Sequence, residues 1–254
     1  MGIEDAIRRN VERVWERIAR AAARSGRAGT DVTLVAVTKG HPPEFVVAAY
    51  RAGVRDFGEN RVQEAAAKIP EVNRLLSSAG EAGTLPPVRW HLIGHLQTNK
   101  VRHACSLFQV VHSVDSLRLA EALNRANSRL GSNPLPVLLE VNVAREDSKF
   151  GLPPEAVIAA AGHVLELPSL RLVGLMTVAP RVAHPETVRP VFQQLRLLGE
   201  SLRRCYPRLG WLHLSMGMTD DFEVAVEEGA TMVRVGRAIF GERSTGPGDM
   251  LELS

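Results

Sequence analysis

The sequence has few of the residues that mark several classes of protein. It contains 2 cysteines in 254 residues, Cys105 and Cys205, and their separation fits neither a disulfide framework nor a metal-binding spacing. We interpret both as reduced thiols of a cytoplasmic protein. No apolar run approaches the length of a bilayer span. Aromatic residues make up 5% of the chain, and no arginine-rich tract is interleaved with them. We therefore expect neither a membrane nor a nucleic acid as a partner.

A strong charge of one sign is also missing, since 31 Lys and Arg residues face 28 Asp and Glu residues. The amino-terminal stretch 3–24 is rich in arginine and amphipathic, as transit peptides are. Glu4, Asp5, Glu12 and Glu16 argue against that interpretation, because transit peptides are poor in acids. Apolar residues at helical spacing instead predict a surface helix over 3–24.

The stretch 32–37 is almost entirely apolar and rich in β-branched residues. Such a run between glycine- and proline-containing turns predicts a fully buried strand, and burial on both faces favours a parallel sheet. Lys39 follows its carboxyl end. A lysine is costly to bury without a partner, so Lys39 is either a functional amine or a side chain that reaches to water.

Strand-type and helix-type segments alternate about eight times along the chain. This alternation predicts a parallel α/β sheet, and eight units favour a closed (β/α)8 barrel. An open, doubly wound sheet is the alternative, but its G-x-G-x-x-G fingerprint is missing after the first strand. We predict one domain over 1–244 with an extra amino-terminal helix, and a short tail over 245–254. The predicted strands are 32–37, 54–57, 88–93, 107–111, 136–143, 170–176, 211–214 and 232–235; helices are predicted over 42–51, 61–68, from 98, and over 116–130, 153–167, 185–206 and 220–228, and a surface loop over 77–87.

Small residues follow the seventh and eighth predicted strands. Ser215 and Gly217 stand after one strand, and Gly236 stands after the other. Barrels often bind phosphate at these two strand ends, where the backbone can approach an anion closely. The alternative is that both glycines serve only as turn residues. A phosphate site opposite a strand-end lysine suits pyridoxal 5'-phosphate (PLP), which carries a phosphate and an aldehyde.

Six stretches of the sequence together form a recognisable pattern, and each lies at a predicted strand or strand end. They extend over nearly the whole chain, and their order adds to their specificity. The stretches are 34–39 (LVAVTK), 56–64 (DFGENRVQE), 90–100 (WHLIGHLQTNK), 174–177 (GLMT), 214–219 (LSMGMT) and 233–241 (VRVGRAIFG).

With these stretches the sequence resembles the pyridoxal phosphate homeostasis proteins, single-domain relatives of the alanine racemase amino-terminal barrel (PLP fold type III). The resemblance implies that Lys39 holds PLP as a Schiff base and that Arg234 faces the pyridine nitrogen. An arginine only donates hydrogen bonds, so that nitrogen would stay unprotonated and the ring would be a weaker electron sink. The implied phosphate contacts, mostly through backbone N–H groups, are Ser215, Gly217, Gly236 and Arg237.

Some implied site residues have a second interpretation. The resemblance places Asn60 near the cofactor ring, although Asn60 also suits a capped helix start. Met176 lies under or beside the ring, or is an ordinary core methionine. Lys149 is either a second PLP-handling lysine or a solvated loop lysine. The histidines are too scattered along the sequence to indicate a metal site: His91, His95, His103 and His112.

Three functions are compatible with these residues. The first is a non-catalytic PLP carrier that supplies apo-enzymes, the second a PLP-dependent amino-acid racemase, and the third a Schiff-base aldolase. In the racemases that the barrel resembles, the second base is a tyrosine from a further domain. We predict Tyr50 and Tyr206 on the outer helices, and the chain continues little beyond Gly241. We therefore expect a non-enzymatic, monomeric carrier.

Overall fold

The computed structural model describes residues 2–80, 86–146, 148–210 and 212–242. Eight parallel strands pair in sequence order, and the first strand pairs with the last to close a barrel. The predicted α/β barrel is thereby confirmed. The strands are β1 Thr33–Val37, β2 Asp56–Glu59, β3 Arg89–Leu92, β4 Val110–Val114, β5 Leu135–Glu140, β6 Leu170–Met176, β7 His213–Ser215 and β8 Met232–Val235.

The described helices surround the barrel, and most of them connect one strand to the next. Short 3₁₀ turns precede several of them. The helices are α1 Ile3–Arg24, α2 Pro43–Arg51, α3 Val62–Ser78, α4 Val101–Leu107, α5 Leu117–Leu130, α6 Val157–Leu165, α7 Arg189–Cys205, α8 Phe222–Glu227 and α9 Arg237–Phe240.

Alternate residues of each strand face opposite sides of the sheet. One set points outward toward the helices, and the other set points into the barrel. The outward side chains, such as Val233 and Val235 of β8, belong to a large apolar core between strands and helices. Inside the barrel the apolar contacts are few, and Val110, Leu138 and Met176 form a small separate cluster. Most TIM barrels fill this inner space with branched apolar side chains. Here polar side chains occupy much of it.

Some predicted boundaries are wrong, for identifiable reasons. Helix α3 continues past the predicted end at Lys68 because Val72 and Leu76 extend its apolar face, and it tolerates Pro70 in its interior. Strand β4 begins three residues later than predicted, since Leu107 completes α4. Of the predicted loop 77–87, residues 77 and 78 belong to α3 and 81–85 lie outside the described residues, as does the predicted tail.

Helix α1 matches its predicted range of 3–24 and packs against α2, α8 and α9, the first and last helices of the ring. Asn10 Nδ2 donates a hydrogen bond of 2.8 Å to the carbonyl of Ile239, and Arg17 forms a 2.9 Å ion pair with Glu223. Helix α1 therefore bridges the helix that follows the first strand and the helices next to the last strand of the barrel. Within the described part of the chain, none of the helices has both the length and the apolar character that a bilayer span requires.

Candidate functional site

The carboxyl ends of the strands form one rim, and the sequence-predicted lysine stands on it. Lys39 lies two residues after β1, half-buried, in a turn that Gly40 completes with a φ of +72°. The lysine is thus at the mouth of the barrel, where a parallel barrel places its ligands.

A buried ion-pair cluster fixes the backbone on both sides of Lys39. Lys68 Nζ of α3 donates to the carbonyl of Thr38 at 2.7 Å and to Glu59 Oε1 at 2.6 Å. Lys68 also pairs with Glu64 at 2.8 Å, and Glu64 Oε1 accepts the N–H of Gly40 at 2.7 Å. The residue before Lys39 and the residue after it are therefore both held by side chains of α3.

The same cluster leaves Glu59 in an unusual electrostatic position. Burial raises the pKa of Glu59, and the neighbouring Lys68 ammonium and Thr38 hydroxyl offset that effect only in part. Its Oε2 atom has no hydrogen-bond partner among the described residues. The ionised form of Glu59 is consequently stabilised only by the contacts that Oε1 makes with Lys68 and Thr38 among the described residues.

Arg234 extends from β8 into the mouth of the barrel and is 4% exposed. Its Nη1 donates to Ser215 Oγ at 2.6 Å, and its Nη2 donates to the carbonyl of Thr177 at 2.8 Å. Burial lowers the pKa of Arg234 to about 10, against the opposing attraction of Glu140 and Asp221. The guanidinium still carries its charge at neutral pH and is held in one plane by two contacts.

A glycine turn follows β7, as predicted. Gly217 has a φ of +91°, and a Cβ there would lie 2.6 Å from the Cβ of Ala225 and 2.8 Å from the Cα of Phe222. Any side chain at this position would therefore displace α8. The carbonyl of Gly217 accepts the N–H of Arg234 at 3.0 Å, which ties this turn to β8.

The second glycine turn follows β8. A Cβ at Gly236 would lie 3.2 Å from the carbonyl oxygen of Val37, so the ends of β8 and β1 approach closely. Helix α9 begins at Arg237, and the first N–H groups of a helix have no partner within it. The Arg237 side chain is exposed and pairs with Asp220 in the β7 turn and with Glu242. The two turns thus form one surface of backbone groups next to the Lys39 turn.

The remaining predicted residues take different positions. Met176 is fully buried in the inner apolar cluster with Val110 and Leu138, as a core methionine would be. Asn60 is half-buried directly after β2 and lines a surface pocket together with His95 and Lys100. Lys149 is half-buried rather than solvated. Its Nζ contacts Glu146 at 2.5 Å and the carbonyl of Val178 at 3.4 Å, beyond the end of β6.

The structure adds a buried acid that the sequence interpretation missed. Glu140 ends β5 on the inner side of the barrel, and its Oε2 has no hydrogen-bond partner among the described residues. Burial and the nearby Asp115 raise the pKa of Glu140 to about 7, although Arg234 opposes the change. An acid within the apolar run of the predicted strand 136–143 was the signal that could have identified it.

Sequence reasoning also missed two histidines inside the barrel. His91 of β3 and His112 of β4 were judged scattered, yet their rings contact each other with Nδ1 of His91 2.8 Å from Nε2 of His112. His112 Nδ1 lies 2.9 Å from Ser215 Oγ, so the pair extends to the residue that contacts Arg234. Polar residues at alternate positions of buried strands were the available signal.

Comparisons with known proteins agree on one group. The family model for the alanine racemase N-terminal domain matches residues 4–244. A relative from Aquifex aeolicus, named pyridoxal phosphate homeostasis protein, is 41% identical over 92% of this chain and 96% of its own. A solved structure of an unknown protein from Bifidobacterium adolescentis has a TM-score of 0.84 and 38% identity, covering 94% of this chain and 96% of its own. PipY of Synechococcus elongatus PCC7942, solved with PLP bound, has a TM-score of 0.73 and 38% identity, covering 88% of this chain and all of its own.

Proposed function

This chain belongs to the alanine racemase N-terminal domain family and, within it, to the pyridoxal phosphate homeostasis proteins, and from that premise we propose that it binds PLP and serves in PLP supply. The observation that carries the proposal is the arrangement of the rim. A buried arginine, two adjoining glycine turns and a backbone-clamped lysine occupy neighbouring strand ends. The relative from Synechococcus elongatus with PLP bound supports the choice of ligand.

The residues present fit the chemical groups of PLP. Backbone N–H groups at the two glycine turns suit a phosphate. The absence of side chains at Gly217 and Gly236 lets these turns pack closely against α8 and the end of β1. We assign Ser215, Gly217, Gly236 and Arg237 to this task, mostly through their backbones, because Arg234 and His112 already engage the Ser215 hydroxyl. PLP supplies an aldehyde carbon that amines attack and a ring that withdraws electrons.

The amine and the ring contacts follow from the same assignment. Lys39 Nζ would hold the aldehyde carbon as a Schiff base, with loss of one water, and the contacts of Lys68 and Glu64 with Thr38 and Gly40 fix the backbone on both sides of it. Arg234 donates to the pyridine nitrogen and keeps it unprotonated, since a guanidinium does not give up its proton near neutral pH. Asn60 borders the ring from the end of β2. Met176 supports the base of the site from the inner apolar cluster.

We further propose that this protein does not turn over amino acids. Racemisation needs proton transfer on both faces of the ring, hence two placed bases. The 2 tyrosines of the chain lie outside the barrel, with the Tyr50 hydroxyl on the carbonyl of Pro86 and the Tyr206 hydroxyl on that of Ile158. Neither is available to the rim. We propose a monomeric cytoplasmic carrier whose recipients are PLP-dependent apo-enzymes; a racemase is the second candidate.

The test begins with the visible spectrum of the protein mixed with PLP. Wild-type protein should develop an absorption band that borohydride bleaches, and peptide mass analysis should locate the reduced adduct on Lys39. Lys39→Ala should fold and lose the band, whereas the matched control Lys100→Ala should keep it. An adduct on another lysine would refute the assignment. Sustained formation of D-amino acids from L-amino acids, abolished by Lys39→Ala, would establish the racemase instead.

A further inference from the structure

An unbroken chain of hydrogen bonds crosses the inside of the barrel from Arg234 to the opposite end. Arg234 Nη1 contacts Ser215 Oγ at 2.6 Å, and Ser215 Oγ contacts His112 Nδ1 at 2.9 Å. His112 Nε2 contacts His91 Nδ1 at 2.8 Å, and His91 Nε2 contacts Asp56 Oδ1 at 2.8 Å. Five strands contribute to this chain, and each of its members is at least nine-tenths buried.

The two ends of the chain fix the direction of its hydrogen bonds. Arg234 has donors only, so it donates to Ser215. At the other end, burial would raise the pKa of Asp56, but its contacts with His91 and Arg89 outweigh burial and lower it. The Asp56 carboxylate is therefore ionised and accepts. It receives a hydrogen from His91 Nε2 and pairs with Arg89, whose side chain is 58% exposed.

The middle of the chain then permits one arrangement. Burial lowers the pKa of His112 far below its usual value, and the charge of Arg234 lowers it further, so His112 is neutral. With His91 donating through Nε2, its Nδ1 accepts from Nε2–H of His112. His112 Nδ1 is then an acceptor for the Ser215 hydroxyl, whose oxygen keeps its lone pairs for Arg234. Both imidazoles carry their hydrogen on Nε2, and each ring nitrogen and the Ser215 hydroxyl has a partner of the opposite kind.

The opposite tautomer of His112 would break this order. A hydrogen on Nδ1 of His112 would point at Ser215 Oγ, which Arg234 already approaches as a donor. The Ser215 hydroxyl hydrogen would then need another acceptor, and the described contacts of its side chain offer none. His91 would also have to hold hydrogens on both nitrogens to contact His112 and Asp56. That state costs an unsatisfied hydroxyl in the barrel interior.

We propose that His112, held by His91 and Asp56, is a positioning residue that orients the Ser215 hydroxyl and through it the Arg234 guanidinium that faces the cofactor ring. The ligand in this inference, PLP, comes from the proposed function. The orienting effect of His112 follows from the hydrogen-bond chain alone. Polar side chains in place of the usual apolar filling are costly unless they are fully paired. Orientation of Arg234 is what these side chains achieve.

The first experiment needs no cofactor. The ring-nitrogen resonances of His91 and His112 in the ligand-free protein, assigned with His91→Gln and His112→Asn, should show both rings protonated on Nε2. A hydrogen on Nδ1 of His112 would overturn the hydrogen-bond order. Because this measurement is made without PLP, it stands even if the protein were to take up no PLP and the proposed function failed.

The second experiment compares two variants of His112. His112→Asn offers Oδ1 as an acceptor for the Ser215 hydroxyl, whereas His112→Leu offers none. We expect about a tenfold loss of PLP affinity and a shifted visible band for His112→Leu, as one charge-assisted contact is disturbed. His112→Asn should keep the wild-type band and stay within about threefold in affinity.

A purely structural role for His112 would give a different result. A destabilised barrel would lose band intensity and melt earlier without moving the band, and both variants would suffer alike. That outcome, or a wild-type spectrum and affinity for His112→Leu, would overturn the proposal. If His112→Leu fails to fold, Ser215→Ala serves in its place, and it should reproduce the shifted band while His112→Asn does not.

Discussion

Lys68 Nζ donates a 2.7 Å hydrogen bond to the carbonyl oxygen of Thr38, the residue that immediately precedes Lys39. The contact is buried, since Lys68 is 5% exposed. A side chain of α3 thus sets the backbone of a turn that belongs to another βα unit. The position of Lys39 at the rim depends on this connection as well as on the strand before it.

The contact predicts that Lys68→Met costs about 3 kcal/mol of unfolding free energy, because it leaves Glu59 buried without its ammonium partner. Cofactor affinity should fall as well, since the turn around Lys39 loses its anchor. Chemical denaturation and PLP titration measure the two effects. The double variant Lys68→Met/Glu59→Gln should recover most of the stability but not the affinity. Equal affinity in wild type and Lys68→Met would show that the clamp does not position Lys39.

Gly236→Ala should weaken PLP binding by roughly tenfold while the melting temperature of the ligand-free protein changes little. Its φ of −114° suits alanine, and the new methyl group would meet Val37, at 3.2 Å from its carbonyl oxygen and 3.4 Å from its Cβ. Gly217→Ala is the contrasting variant. There a positive φ and contacts of 2.6 and 2.8 Å should lower stability and affinity together. If Gly236→Ala binds PLP as tightly as wild type, the phosphate is held elsewhere.

The raised pKa of Glu140 predicts that the unfolding free energy of the protein depends on pH. Its pKa rises from 4.5 to about 7 on folding, so the folded state binds the proton more tightly than the unfolded state. Unfolding free energy attributable to Glu140 should therefore fall as the pH rises from 4.5 to 7, by about 3 kcal/mol in total, and stay constant above that range.

Glu140→Gln removes the ionisable group and tests this sign. The variant should gain stability relative to wild type at pH 8, and the gain should disappear toward pH 4, as followed by denaturant unfolding at several pH values. Glu166→Gln, at an exposed carboxylate, is the matched control and should follow wild type. A stability gain that is independent of pH would mean that Glu140 is not titrating in this range.

The two cysteines should differ sharply in reactivity. Cys105 is buried, and burial raises its thiol pKa to about 11, whereas Cys205 is exposed. Only the thiolate reacts with iodoacetamide, so the native protein at pH 8 should be alkylated at Cys205 alone. In denaturant both residues should react. Mass analysis of Cys205→Ser provides the control, and rapid labelling of native Cys205→Ser would contradict the assignment of Cys105 to the core.

Much of this architecture could be predicted from the sequence, because buried parallel strands appear as nearly continuous apolar runs. The apolar run before Lys39 predicted β1, and the glycines at 217 and 236 predicted the turns after β7 and β8. Strand β2 was predicted two residues too early, at 54–57, because a glycine and an acid at positions 58 and 59 are unusual in a buried strand. Asp56 faces the barrel interior and Glu59 faces α3, and each has a partner that only the fold supplies.

The histidine pair could not be predicted for a similar reason. His91 and His112 come together only through the register that sets His91 opposite Val110, two residues before His112. Sequence periodicity gives the face of a strand but not its register with a neighbour. The end of α3 was predicted too early, at residue 68, although the apolar spacing continues across Pro70 to Val72 and Leu76.

Helix α1 has a consequence for the order in which a newly made chain becomes protected. Its apolar stripe, which includes Ile7, Val11, Val14 and Ile18, is covered partly by α8 and α9, which are formed by residues 222–240. A ribosome makes this helix about 200 residues before α8 and α9, so the stripe lacks that cover until residues 222–240 have been made. Ribosome-bound chains halted before residue 222 should therefore be cut within 3–24 by added protease far faster than the released protein. Helix α1, although it is made before the strands, would be among the last parts of this barrel to become protected from proteolysis.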